Sequence, residues 1–425
     1  MAATLAEKII SRAAGRAWVR PGEIVTARVD LAMIHDSGGP RRVEPILQEL
    51  GVGLFDAGKV VLISDHFVPG DTDEGAHILE LTRRWAKERK VTFHDGKGIC
   101  HVVLPERGHL RPGMFVVGGD SHSPTGGAFG CYMFGVGATE MAGVLATGEI
   151  WLKVPGTILI EWQNRLAPGV TAKDMMLALC GRLGMDGGRY QAVEYAGEAI
   201  RVLSMQARMT LSNMAAELGA QAGLVAPDAT TDAWLRGTGS TPGDWGGLHT
   251  DADAELLEHH VFDAAELAPQ VAAPHSPANA GPVGDAPARR IDVAYIGACT
   301  GAKYEDLKGA ADILRGRTLA AGVDLIVAPA SRRDQERAEA DGIMKIFEEC
   351  GARILPNACG ICAGYGTERL GEDVVCISST ARNFKGRMGA ASSQVWLGSP
   401  LTVAASAIAG WIADPRDFLR AGDGE

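Results

Sequence analysis

Residues 291–301 read IDVAYIGACTG, an apolar run of β-formers that ends in a cysteine held between small residues. The same layout recurs at 59–66, KVVLISDH, and at 115–120, FVVGGD. Apolar runs of this length, closed by glycine or aspartate, suit strands buried on both faces of a sheet. A glycine-rich exit lets backbone approach a ligand closely. Working outward, Thr157–Glu161 and Val323–Ala328 read as further strands. Helices are expected between them: Ser212–Gly219 behind a serine or asparagine cap, the charged stretch 331–349, and the alanine-rich stretch 399–412. Strands alternating with helices make this an α/β protein.

A chain of 425 residues corresponds to about two to four domains. Residues 264–290, AAELAPQVAAPHSPANAGPVGDAPARR, are rich in alanine and proline and lack periodicity, so a linker is expected there. The composition, 46% hydrophobic and 22% charged, is that of a globular protein. A net charge of −11 opposes binding to a nucleic-acid backbone. No apolar run is long enough to span a membrane, and the charged N-terminus lacks the apolar core of a secretory signal. Glu7 and Glu23 also argue against a transit peptide. Eight cysteines are too few for a disulfide scaffold of this size, so the expectation is a soluble cytoplasmic protein with reduced thiols.

The cysteines divide by context. Cys359 and Cys362 form a C-x-x-C in a loop between Pro356 and Gly366. A redox dithiol, half a zinc site and part of an iron–sulfur site all fit that spacing. Cys299 adds a third thiol in a similar loop. Three thiolates leave a metal with an open position, which a catalytic metal needs. Cys100, Cys131, Cys180, Cys350 and Cys376 sit in apolar or helical contexts and read as packing residues.

Histidines and carboxylates collect at strand ends: Asp65-His66, Asp120-Ser121-His122, and His101 in GICHVVLPE. An adjacent aspartate fixes an imidazole tautomer and favours its charged form, which suits general acid chemistry. The plain alternative for each histidine is a hydrogen-bonded structural residue. The loop GGDSHSPTGGAFG (118–130) lacks the lysine of a phosphate loop and the spacing of a dinucleotide fingerprint. Arg382 and Arg387 flank Asn383 and Phe384, and arginine pairs clamp carboxylates. That points to a small polycarboxylate; two surface arginines are the plain alternative.

Taken together, SDHFVP, GICHVVLPE, GGDSHSPTGGAFGCYMFGVGATEMAGVLATG, GEAIRVLSMQARMTLSNMAAELGAQAGLVAPD, GACTGAKYEDL, PNACGICAGYG and STARNFKGRMG resemble the aconitase superfamily, in particular large subunits of the isopropylmalate dehydratase type. The match spans about residues 4 to 415. The resemblance implies three α/β/α lobes around a central cluster-containing cleft, over residues 1–155, 156–263 and 291–425. It implies a [4Fe-4S] cluster on Cys299, Cys359 and Cys362 with one iron not ligated by cysteine. That iron would bind the hydroxyl and a carboxylate of a small hydroxy di- or tricarboxylate, and Asp65 with His66 would protonate the departing hydroxyl. His101, Asp120, His122 and Glu217 would surround the site with Asn213 nearby, Ser121 would lie next to the cluster, and Arg382 and Arg387 would bind substrate carboxylates.

In fused aconitases a fourth, swivelling domain carries the base and another substrate arginine. This chain lacks that segment, so a separate small subunit is expected to carry it. The family usually has asparagine where this chain has Gly301 and Ala381. The expected substrate is 3-isopropylmalate-like, and that departure makes a different diacid, citraconate, maleate, dimethylmalate or homoaconitate, the alternative. A non-catalytic sensor on the same fold would need only the cysteines.

Overall fold

The computed structural model describes residues 2–365 and 367–420. Gly366, which closes the PNACGICAGYG motif, and residues 421–425, the end of the expected third lobe, lie outside them.

The first large sheet has five parallel strands, in the order Thr92–Asp95, Val60–Ser64, Leu31–His35, Phe115–Gly118 and Tyr132–Gly135. Val60–Ser64 and Phe115–Gly118 are buried along their whole length, as unbroken apolar runs require. The chain builds outward from Leu31–His35 on one side and then returns to its other side with Phe115–Gly118. The strand order therefore reverses at Leu31–His35, and a crevice opens there at the carboxyl ends of the strands. His35-Asp36, Asp65-His66 and Gly119–His122 all leave strands at that crevice.

A second sheet of four parallel strands runs Ala222–Val225, Ala192–Ala196, Thr157–Gln163, Glu258–Asp263. The third has seven, in the order Ala280–Pro282, Gln270–Ala272, Gln394–Gly398, Val375–Ser378, Val293–Ile296, Asp324–Val327, Arg353–Ile354. Its order reverses at Val293–Ile296, flanked by Val375–Ser378 and Asp324–Val327. Cys299 leaves the first of these strands and the Arg382 loop leaves the second. The Cys359–Cys362 loop follows the edge strand Arg353–Ile354. Each fully buried Val, Leu or Ile in these layers contributes ~1.5–3 kcal/mol.

Residues 264–290 are not a linker. Gln270–Ala272 pairs antiparallel with Ala280–Pro282 and with Gln394–Gly398, extending the third sheet. Val271, Ala272 and Val283 are buried, and the Asp174 carboxylate accepts the Gln270 N–H at 2.8 Å. Strands of three residues are too short to show a period, so composition alone misread them.

Two helices also differ from expectation. Ser212 is not a cap: the helix is Met205–Met214, capped by the Ser204 side chain, and Ser212 is buried inside it. Residues 215–219 follow as tight turns closed by Gly219 at φ +72°. The stretch 331–349 is two helices, Arg332–Ala340 and Ile343–Glu349, broken at Gly342 in the left-handed conformation. Among the described residues no helix is long and apolar enough to cross a membrane.

Candidate active site

The carboxyl ends of the first and third sheets share one cavity of ≈ 390 Å³. Eleven of the thirteen residues singled out in the sequence line it: Asp65, His66, His101, Asp120, Ser121, His122, Cys299, Cys359, Cys362, Arg382 and Arg387. The other two, Asn213 and Glu217, are fully buried behind the wall and hydrogen-bond to residues in it.

His66 donates from Nδ1 to Asp65 Oδ1 at 2.6 Å. The second Asp65 oxygen accepts the Cys100 N–H at 2.7 Å, which fixes the carboxylate at the start of the helix Cys100–Glu106. Asp36 holds the same turn, accepting the N–H groups of His66 and Phe67 at 3.1 and 2.8 Å. Burial opposes the His66 imidazolium, but the charge and hydrogen bond of Asp65, with Asp36 behind, raise it to about 10. Burial likewise works against the Asp65 carboxylate, and His66 overrides it, lowering Asp65 to about 2. The pair is an imidazolium–carboxylate at neutral pH. His35 stacks on His66 with ring centroids 4.3 Å apart. It donates from Nε2 to Gly119 O at 2.9 Å and accepts the Gly38 N–H on Nδ1 at 3.4 Å. Burial and the neighbouring His66 charge lower its pKa, so it stays neutral.

The second group is a chain of hydrogen bonds. His101 donates from Nε2 to Asp120 Oδ1 at 2.7 Å, and the same oxygen accepts the His122 backbone N–H at 2.8 Å. His122 donates from Nε2 to Glu217 Oε1 at 3.0 Å. Arg382 donates from Nε to that Glu217 oxygen at 2.5 Å and from a terminal nitrogen to Ser121 Oγ at 2.9 Å. Burial raises Glu217, but the charge and hydrogen bond of Arg382, with the hydrogen bond from His122, outweigh it and keep the carboxyl below its ordinary value. Burial and the Arg382 charge lower His122, so the imidazole is neutral. His101 Nδ1, Glu217 Oε2, Asn213 Oδ1 and Arg387 Nε are buried without a partner.

All eight cysteines are free thiols. Cys359 and Cys362 interact with each other. That interaction, with Arg387 and Lys173 nearby, lowers Cys362 to about 6 against the opposing effect of burial. Asn213 donates from Nδ2 to Cys299 Sγ at 3.1 Å, so the sulfur already serves as an acceptor, as a metal thiolate does. The Cys359 N–H donates to Asp65 O at 2.9 Å and ties the cysteine loop to the acid pair. Three soft sulfur donors facing one cavity, with basic side chains beside them, fit an iron–sulfur cluster. Two groups among the described residues bring donor atoms within 4.8 Å of one another, and neither includes these cysteines: His35, Asp36, Asp65, His66, and His101, Asp120, His122. Their nitrogens are largely spent on carboxylates and backbone, and His66 carries a proton.

A family model described as "Aconitase family (aconitate hydratase)" matches residues 64–410. The chain belongs to the aconitase family. This aconitase-family chain is 44% identical over 422 residues to a protein named 3-isopropylmalate dehydratase large subunit 1 of Methanopyrus kandleri, covering 99% of this chain and 100% of the relative. It is 41% identical over 426 residues to a probable methanogen homoaconitase large subunit of Methanothermobacter thermautotrophicus, covering 99% of each. It is 39% identical over 429 residues to the 3-isopropylmalate dehydratase large subunit of Aquifex aeolicus, again covering 99% of each. The resemblance read from the motifs is borne out, and the chain is a hydro-lyase whose family implies an iron–sulfur cluster.

The two departures from the family pattern differ in kind. A Cβ on Gly301 would meet Ser379 Cβ and Oγ at 2.3 Å and Ser379 O at 2.7 Å. Gly301 is therefore packed against the neighbouring loop and is not among the residues that line the cavity. Ala381 does line the cavity. Sequence reasoning missed His35 and Asp36, although LAMIHDSGG repeats the layout of strand, His/Asp pair and glycine turn. It also missed Arg42, which lines the cavity and has no anionic partner among the described residues.

Proposed function

We propose that this chain is the cluster-bearing large subunit of a hydro-lyase that removes and adds water on a small hydroxy di- or tricarboxylate. The observation that carries the reading is the shared cavity. Three thiols, a charged Asp65–His66 pair, a His101–Asp120–His122–Glu217 chain and two arginines converge where the strand order of both sheets reverses. Cys299, Cys359 and Cys362 would hold a [4Fe-4S] cluster, which when bound supplies a Lewis acid at its iron without a cysteine ligand.

The remaining steps fall to the chain's own side chains. His66, held as an imidazolium by Asp65, gives its proton to the departing hydroxyl oxygen. Asp65 and Asp36 keep that proton on the ring until the substrate takes it. Arg382 and Arg387 bind the substrate carboxylates and offset the charge that develops beside the carbon losing a proton. Glu217 and Ser121 fix the Arg382 fork, and Asp120 orients His101 and His122. A separate small subunit supplies the base and closes the cavity from the open side. Cytoplasmic localisation belongs to the same reading, since free thiols and an oxygen-labile cluster need a reducing compartment.

For the substrate, Ala381 removes an amide from the wall, while Val136, Met141 and Arg42 stand in the same lining. These favour a diacid other than isopropylmalate. The test is anaerobic purification with the small subunit, followed by hydration assays on the enoates of isopropylmalate, homocitrate, citraconate, maleate and dimethylmalate. Loss of enoate absorbance with at least one of them supports the hydro-lyase reading. Isopropylmalate turnover far above the others overturns the substrate preference. Full turnover by the chain alone overturns the split enzyme.

A further inference from the structure

Lys173 opens the helix Ala172–Leu183, which follows a strand of the second sheet, and reaches the loops that leave the third sheet. Its ammonium is buried, at 2% exposure, and donates to Ser379 O at 2.9 Å, Thr380 O at 2.5 Å and Thr300 Oγ1 at 3.3 Å. All three acceptors are neutral. Two other buried cations differ in kind. Lys303 pairs with Asp306 at 2.6 Å and Arg208 with Asp228 at 2.6 Å. Among the described residues no carboxylate lies within ion-pair distance of Lys173. A charge taken out of water without a counterion costs several kcal/mol even after relaxation. The fold pays that cost at one place, between the two loops that matter most. Thr300 follows Cys299, and Ser379-Thr380 precede Ala381 and Arg382. Burial lowers the Lys173 pKa to about 8, while Glu217, Cys299 and Cys362 act on it in the opposite sense, so its field reaches two of the three sulfurs.

We infer that Lys173 is a positioning residue for the cluster: it ties the Cys299 loop to the Arg382 loop and supplies the countercharge for an anionic iron–sulfur centre on the three thiolates. The inference rests on the cluster reading above. It explains why a lysine without a carboxylate is tolerated here, since the missing negative charge arrives with the cofactor.

The opposite signs expected for the empty and loaded protein make it testable. Lys173→Met keeps the length and apolar stem but removes the charge, and Lys173→Gln keeps a donor for the carbonyls without charge. Wild type and both variants would be reconstituted anaerobically with iron and sulfide. Readouts are iron and sulfide per chain, the rate of cluster loss to a chelator, the cluster reduction potential, and the denaturant midpoint of the empty chain. The expected result is a Lys173→Met chain that is at least as stable as wild type when empty. It should lose its cluster ~10-fold faster or more, in line with loss of an outer partner of a metal site. Its reduction potential should shift negative, because a nearby positive charge is gone. If Lys173→Met does not fold, Lys173→Gln decides. A neutral variant that folds and keeps the cluster as firmly as wild type, at an unchanged potential, overturns the inference. So does a loss of stability equal in the empty and loaded forms, which marks a purely structural tether. A wild-type chain that takes up no cluster overturns the cluster reading itself and is told apart from both.

Discussion

Asp65→Asn isolates the charge that holds the proposed acid in its protonated form. In the native chain Asp65 Oδ1 lies 2.6 Å from His66 Nδ1, and Oδ2 accepts the Cys100 N–H at 2.7 Å. Asparagine fills the same volume and can still accept one of those bonds. What disappears is the opposing charge that lifts His66 to about 10 against burial. With Asp36 remaining at 3.7 Å, His66 should fall toward or below the ordinary imidazole range, each tenfold loss of proton affinity being ~1.4 kcal/mol of preference for the imidazolium. At pH 8 the wild-type ring stays charged and the variant ring is neutral. The assay is a titration of the His66 ring nitrogens in a chain labelled with 15N-histidine, paired with the alkaline limb of kcat in the assembled enzyme. The limb should move to lower pH by a similar interval. Stability gives an independent sign. A raised histidine stabilises fully below its unfolded pKa of ~6.5 and loses that contribution as pH rises toward about 10. The lowered Asp65 contributes above ~4 and loses its share as pH falls toward about 2. The variant should therefore lag wild type most between pH ~4 and ~6.5, and the gap should narrow as pH rises toward about 10. A variant His66 that still titrates near 10, with an unmoved alkaline limb, would refute the account of how this acid is held.

Replacing Cys299, Cys359 or Cys362 by serine should abolish iron and sulfide retention, whereas Cys376→Ser, in a buried strand, should not; metal analysis of the reconstituted chains checks both. Arg382→Ala leaves Glu217 buried without its ion-pair partner, which should cost on the order of 3 kcal/mol or more in denaturant unfolding and raise KM for every diacid. Gly301→Asn, which restores the residue usual in the family, should lower the thermal midpoint because its Cβ meets the backbone and side chain of Ser379; an unchanged midpoint would contradict the packing described. Glu106 is raised to about 8 by burial and the Asp334 charge, so folding favours its protonated form and stability falls as pH climbs from ~4.5 through about 8. Glu106→Gln should accordingly raise the melting temperature at pH 9 and leave it unaltered at pH 4.

What was legible in the sequence were the points where buried strands stop. KVVLIS, FVVGG and IDVAYIGA end abruptly in polar or sulfur residues, and an α/β sheet collects its site at such ends. The alternation of strands and helices followed from the same runs. The three-residue strands within 264–290 were illegible, because pairing partners rather than periodicity define them. Ser212 carried a cap signal that its burial overrode. Asn213 and Glu217 came into view only through resemblance, since a helix residue reaching a cysteine 86 residues away leaves no local mark. Lys173 was invisible for a related reason. Its interest lies in the absence, among the described residues, of a carboxylate within ion-pair distance, which only the packed structure reveals.

In the proposed site three thiolates hold a cluster with one open iron. Electron paramagnetic resonance of the anaerobically reconstituted chain after mild oxidation tests it most directly. The account predicts about four iron and four sulfide per chain before oxidation, and a three-iron signal after it as the open-corner iron departs. Stoichiometric zinc with no iron, or a cluster that survives oxidation intact, would contradict it.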